Sequence, residues 1–178
     1  MFPKFLSLLM LASVVGADDC PQWLGPQRDS VWRETGILKK FPQDGLKVVW
    51  RQSVHAGYTG PAVADGRVFV MDRQLSPGAT NPENRFERGS IPGNERVLCL
   101  NQKTGEPLWE HVYDSAYTVS YPKGPRATPS VSAGRVYCLG TEGDLHCLET
   151  ASGKMLWKRQ FKEEYGAKTP TWGFAAHP

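Results

Sequence analysis

With 178 residues, 40% of them hydrophobic and 22% charged, the chain is long enough for one ordinary domain with an apolar core. Its formal net charge of +3, from 21 basic and 18 acidic residues spread evenly along it, argues against nucleic acid or an anionic membrane as a partner. Eighteen glycines and 14 prolines lie between short apolar runs, with no sustained helical period, so the composition predicts an all-β fold of many short strands and tight turns.

Residues 1–17 read as an export signal. Lys4 gives a positive start, Phe5–Val15 is apolar apart from Ser7 and Ser13, and Val15-Gly16-Ala17 offers small residues for cleavage at about Ala17. The apolar run is shorter than the roughly 20 residues that a membrane span needs. Asp18 and Asp19, rather than small apolar residues, precede Cys20, so a soluble exported protein, periplasmic or extracellular, is expected. Residues 18–45 form an N-terminal segment. Residues 46–54, with Val48-Val49-Trp50, read as a single last strand without its preceding three.

Two copies of one pattern follow. Pro61-Ala-Val-Ala-Asp-Gly-Arg-Val-Phe-Val70 matches Pro129-Ser-Val-Ser-Ala-Gly-Arg-Val-Tyr-Cys138, and Val97-Leu-Cys-Leu-Asn-Gln-Lys-Thr-Gly-Glu-Pro-Leu-Trp109 matches Leu145-His-Cys-Leu-Glu-Thr-Ala-Ser-Gly-Lys-Met-Leu-Trp157. The first pair is offset by 68 residues and the second by 48, which places an insertion in the Pro-, Gly- and Asn-rich stretch 74–93. In the second copy four strands are expected, at about Ser130–Ser132, Arg135–Thr141, Asp144–Glu149 and Met155–Phe161. Four antiparallel strands repeating every 45 to 50 residues or so make the blade of a β-propeller. The expected layout is a closing strand at 46–54, blades at 60–114 and 127–163, and the start of another blade at 169–178, an incomplete ring. Trp109 and Trp157 either pack on the seam between blades or stack on a ligand; their repetition points to packing.

These motifs resemble the pyrroloquinoline-quinone (PQQ)-like repeat family. Gly-x-x-Leu-Trp after a Val/Leu-x-Cys-Leu strand is similar to the family's repeat. Pro21-Gln-Trp-Leu-Gly-Pro26, Gly57-Tyr58, Tyr121-Pro-Lys-Gly-Pro-Arg-Ala-Thr-Pro129 and Gly166-Ala-Lys-Thr-Pro-Thr-Trp-Gly173 resemble an exported bacterial subgroup. The resemblance covers Asp18–Pro178 and is specific for fold rather than task. It implies either a noncatalytic propeller that binds or scaffolds other molecules, or an N-terminal piece of a quinone-dependent dehydrogenase. Only the dehydrogenases would carry PQQ with calcium, an adjacent cysteine pair and an Asp base. No two cysteines are adjacent here and no acidic cluster precedes Pro61 or Pro129, which favours the noncatalytic reading, with no cofactor and no metal evident.

Four cysteines in an exported chain raise the question of disulfides. With Glu142-Gly143 as a two-residue turn, Cys138 and Cys147 face each other as a close cross-strand pair, either bridged or as two buried thiols. Ligands of propellers enter where loops lead into the innermost strands, so the channel-mouth candidates are His55, Tyr58, Arg126, Lys168 and Trp172, as stacking rings and carboxylate-binding cations or as ordinary loop packing and solvated charge. Two blades expose an apolar face at each end, so the chain is expected to self-associate.

Overall fold

The computed structural model describes residues 18–178; the export-signal reading of 1–17, with cleavage at about Ala17, lies outside the described residues. Two four-stranded antiparallel sheets follow one another. The first holds β1 (Ala62–Ala64), β2 (Arg67–Leu75), β3 (Gly93–Asn101) and β4 (Pro107–Asp114) in sequential order. The second holds β5 (Ser130–Ser132), β6 (Arg135–Leu139), β7 (Asp144–Glu149) and β8 (Met155–Gln160), followed by one short helix, α1 (Phe161–Tyr165). Each is a meander, the form of a propeller blade.

Local sequence sets the turns. Asp65-Gly66 and Ala133-Gly134 both have positive φ at both residues, the type I′ geometry that matches strand twist in a two-residue hairpin. The β3–β4 and β7–β8 connections repeat one hydrogen-bond pattern: Gly105 N donates to Asn101 O at 2.8 Å and Gly153 N to Glu149 O at 2.9 Å. Both blades then slip register at the same place, between Cys99 and Leu100 and between Cys147 and Leu148.

Strand alternation sorts the side chains into two faces. Ala62, Phe69, Met71, Val97 and Cys99 of the first blade meet Val136, Cys138 and Leu148 of the second in the main core, with Trp109 and Val131 packed on it. The opposite face of the first blade carries a smaller cluster of Val68, Leu98 and Leu100, against which Trp50 packs.

The tryptophans explain the repeat. The Trp109 indole lies flat against Gly153 in the next blade, so close that a Cβ there would stand 2.5 Å from the ring, and its Nε1 donates to Thr150 O at 2.9 Å. Trp50 does the same one blade earlier, over Gly105, with Nε1 donating to Gln102 O at 2.8 Å. Trp109 is therefore a packing residue. Trp157, the matching position in the second blade, is 37% exposed.

Three expectations change. No strand forms over 46–54 among the described residues, because an antiparallel strand needs a neighbour for its ladder and none lies beside it; the segment is held by Trp50 instead. The insertion read at 74–93 narrows to 76–92: β2 and β3 pair out to Leu75 and Gly93, where the missing Cβ lets the strands close on Gln74 O. The proposed Cys138–Cys147 bridge does not form. The β6–β7 connection is the three-residue turn Thr141-Glu142-Gly143, so Cys138 lies opposite His146 and Cys147 opposite Tyr137. That one-residue difference sends the two sulfurs to opposite faces of the sheet, and both are free.

Candidate functional site

In a meander, alternate connections share one end. The β2–β3 loop, the β4–β5 connection, the β6–β7 turn and the segment after β8 all gather at the end where β2 and β4 finish. Glu95 on β3 lies at the centre, with its side chain fully buried. It accepts hydrogen bonds from Tyr113 (2.5 Å), from the Tyr117 hydroxyl, and from Thr141 N of the second blade at 2.9 Å. Thr141 Oγ1 in turn donates to the Tyr117 hydroxyl at 2.7 Å. Gly140 makes room for this, since a Cβ there would collide with the Glu95 carboxylate. Burial, and then the Glu95 charge, push both tyrosines well above their ordinary pKa, so they stay protonated donors.

Three further charged groups surround this knot. Arg73, also buried, lays its guanidinium over the Tyr117 ring at 3.9 Å and donates to Pro122 O and Ile91 O, both at 2.7 Å. Arg126 donates to the carbonyls of Gly124, Ser120 and Tyr121, the last two at 2.9 and 2.5 Å. Glu142 accepts from Thr118 N (2.6 Å), Lys162 (2.9 Å) and Thr169 (2.8 Å). Burial pushes the Glu142 carboxyl up, but the Lys162 ammonium and the Thr118 and Thr169 donors outweigh it and leave it below its usual value.

The channel-mouth candidates separate into three places. Tyr58 and Arg126 meet, with the guanidinium 5.3 Å from the ring centre. Trp172 joins a different group, an exposed aromatic triad with Phe86 and Tyr121, at centroid distances of 6.1 and 5.3 Å. Three loops build it: Ser120 N donates to Thr171 O and Tyr121 N to Arg85 O. Lys168 stands exposed, with no hydrogen bond or ion pair among the described residues. His55 is exposed too, but its backbone N–H donates to Asp72, whose carboxylate also takes two bonds from Arg96.

Sequence reasoning passed over Glu95, Arg73 and the pair His111–His146. A charged residue in an alternating strand usually faces water, and nothing in one copy of the repeat marks these as buried. The His111 and His146 rings meet across the blade seam, Nε2 to Nδ1 at 3.1 Å, with Tyr113 against His146 at 4.2 Å. Burial, with His111 and Lys158 nearby, pushes His146 down to about 4. Among the described residues no group of three His, Cys, Asp or Glu side chains could hold a metal ion. A cavity of about 520 Å³ opens beside Arg73 and Lys123.

Two four-stranded meanders with the same glycine, tryptophan and register slip in each have the form of repeated β-propeller blades. Residues 93–172 match the family model described as outer membrane protein assembly factor BamB. The chain is also similar to the outer membrane protein assembly factor BamB of Burkholderia pseudomallei (strain K96243), at 25% identity over 80% of this chain and 41% of the relative. The chain thus spans about two fifths of that relative's length. Two solved structures share local likeness: a europium-containing methanol dehydrogenase (15% identity, TM-score 0.28, 63% of this chain and 26% of that one) and BamB from Moraxella catarrhalis (14%, 0.19, 58% and 46%). At those TM-scores neither superposition bears on fold or function. No helix among the described residues is long and apolar enough to cross a membrane.

Proposed function

We propose that the chain is part of an exported, noncatalytic propeller that binds other proteins, in the manner suggested by its similarity to an outer membrane protein assembly factor. The observation that carries this reading is that similarity, over 93–172 in the family model and over most of the chain in the Burkholderia relative. The geometry supports it. Glu95, Glu142 and Arg126 at the loop end are engaged by bonds that hold loops, while Phe86 and Trp172, 62% and 51% exposed, present aromatic surface of the kind that anchors protein interfaces. Export follows from residues 1–17, and the compartment is the periplasm or the cell exterior.

The second reading, a quinone-dependent dehydrogenase piece, fits these residues poorly. Cys99, Cys138 and Cys147 are separated by strands and lie buried singly. The two buried glutamates, Glu95 and Glu142, already accept three or more hydrogen bonds each and leave no carboxylate free for a calcium ion there.

A photo-crosslinking side chain at position 172, in the chain expressed and exported in its source cell, should give discrete protein adducts that are lost when Phe86 and Tyr121 are replaced by Ser. Absence of adducts, or dye reduction by the purified chain supplied with PQQ and calcium, would overturn the proposal.

A further inference from the structure

Two consecutive carbonyls near the start of the described chain reach two different blades. Val63 N on β1 donates to Cys20 O at 2.9 Å, and Val131 N on β5 donates to Pro21 O at 2.8 Å. Val63 and Val131 are equivalent residues of the two copies, in Ala-Val-Ala and Ser-Val-Ser. β1 and β5 are each the edge strand of their sheet, so these N–H groups point off the sheet edges rather than into the ladders. Neighbouring residues of a chain lie only about 3.8 Å apart, so one segment can serve both edges only where the blades crowd together. The two sheets converge at β1 and β5, and in a propeller the side on which blades converge is the wall of the central channel.

The same segment reaches a third unit. Gly60 N donates to Thr128 Oγ1 at 3.2 Å and Thr128 N to His177 Nδ1 at 2.9 Å, so the residues preceding Pro61, Pro129 and Pro178 are linked from copy to copy. Trp23 stacks on the His177 ring, 4.9 Å between centroids and 12° between planes, and Arg28 donates to Pro178 O at 2.8 Å. At the other end Asp19 accepts from Asp65 N, in the β1–β2 turn, at 3.0 Å. Residues 19–28 are nevertheless exposed or half-buried throughout. A segment held by a few edge hydrogen bonds and one stacked ring, with no buried side chain, opens far more readily than the blades beneath it.

We propose that the channel-side edges of β1 and β5 are a binding surface for extended peptide, and that residues 19–28 are its resident, releasable strap. While the strap is in place it pairs the two edges and blocks their use by another chain; on release the edges take an extended segment of the same kind through its backbone carbonyls. The proposal does not rest on the aromatic patch of Phe86, Tyr121 and Trp172.

The test is hydrogen–deuterium exchange of the 178-residue chain, resolved to the Val63 and Val131 amides, with the buried Val97 amide as a control for the fold. Both edge amides should be protected. Trp23→Ser, at an exposed position, should speed both together by about five- to tenfold, the worth of one aromatic stack, and leave Val97 unchanged. Replacing 19–28 by a Gly-Ser segment of equal length should expose both fully, and a synthetic peptide of residues 18–30 added to that chain should slow both again, whereas a scrambled peptide should not. The proposal is overturned if Val63 and Val131 exchange at the rate of free amides in the unaltered chain, if Trp23→Ser changes neither or only one, or if the synthetic peptide protects no better than the scrambled one.

Discussion

Gly153 has two reasons to be glycine, and they can be separated. Its φ of +70° disfavours any Cβ, and the Trp109 ring occupies the space a Cβ would need. Gly134 has nearly the same φ, +73°, but open space around it. Gly134→Ala should therefore cost about 1 kcal/mol, the backbone penalty alone, whereas Gly153→Ala should cost about 2–4 kcal/mol by displacing the indole. Urea unfolding followed by tryptophan fluorescence measures both; equal losses would mean that the ring contact contributes nothing. His146 gives a second residue-scale expectation. Its folded pKa is depressed to about 4 from 6.5, so the unfolded chain binds more protons between those values. The stability contribution is complete above about pH 6.5 and is lost as the pH falls toward 4, on the order of a few kcal/mol. Replacing His146 by Gln should flatten that part of the stability profile relative to the wild type, while the carboxylate-driven loss at lower pH remains.

Among the elements, the second blade was the most legible. Strands at 130–132 and 144–149 fall where the repeat placed them, and those at 135–139 and 155–160 end one or two residues earlier. Apolar alternation and Gly-containing turns specify these positions without help from distant residues. The β6–β7 turn was not legible: Glu142-Gly143 suits a two-residue hairpin as well as the end of a three-residue one, and only the bond from Gly140 N to Asp144 O, at 2.8 Å, decides it. Because alternation has period two, that single residue also decided the disulfide. Alkylation should label one thiol, Cys20, in the folded chain and four after unfolding, with no Cys138–Cys147 peptide in a nonreducing map. Burial pushes the Cys99 thiol up to about 11, which adds to its protection. At the candidate site, the Tyr58–Arg126 contact joins equivalent positions three residues before Pro61 and Pro129, a link the repeat alignment contained. Glu95 has glycine at the corresponding place in the next copy, Gly143, so no comparison of copies could mark it.

For the whole molecule, the outer face of the second blade repeats the row that the first blade buries. Tyr137 and Trp157 stand 6.0 Å apart at 50°, against 5.9 Å and 50° for Phe69 and Trp109. Trp157 is 37% exposed, whereas Trp109 is packed on the core between the blades. A contiguous apolar face of this kind drives association. The purified 178-residue chain should sediment as dimers or larger species, and Tyr137→Ser with Trp157→Ser should shift it toward monomer; a concentration-independent monomer in the wild type would refute this.

The Trp109–Gly153 contact also sets an order of events in time. A ribosome makes residue 109 before residue 153, and residue 50 before residue 105. Each indole must wait, wet, while 44 or 55 further residues are added, before its seat exists. Every blade is therefore completed by the arrival of its successor, and a chain emerging N-terminus first always carries one unshielded tryptophan at its growing edge. Fluorescence of stalled nascent chains ending before and after residue 153 should register that indole passing from water to cover.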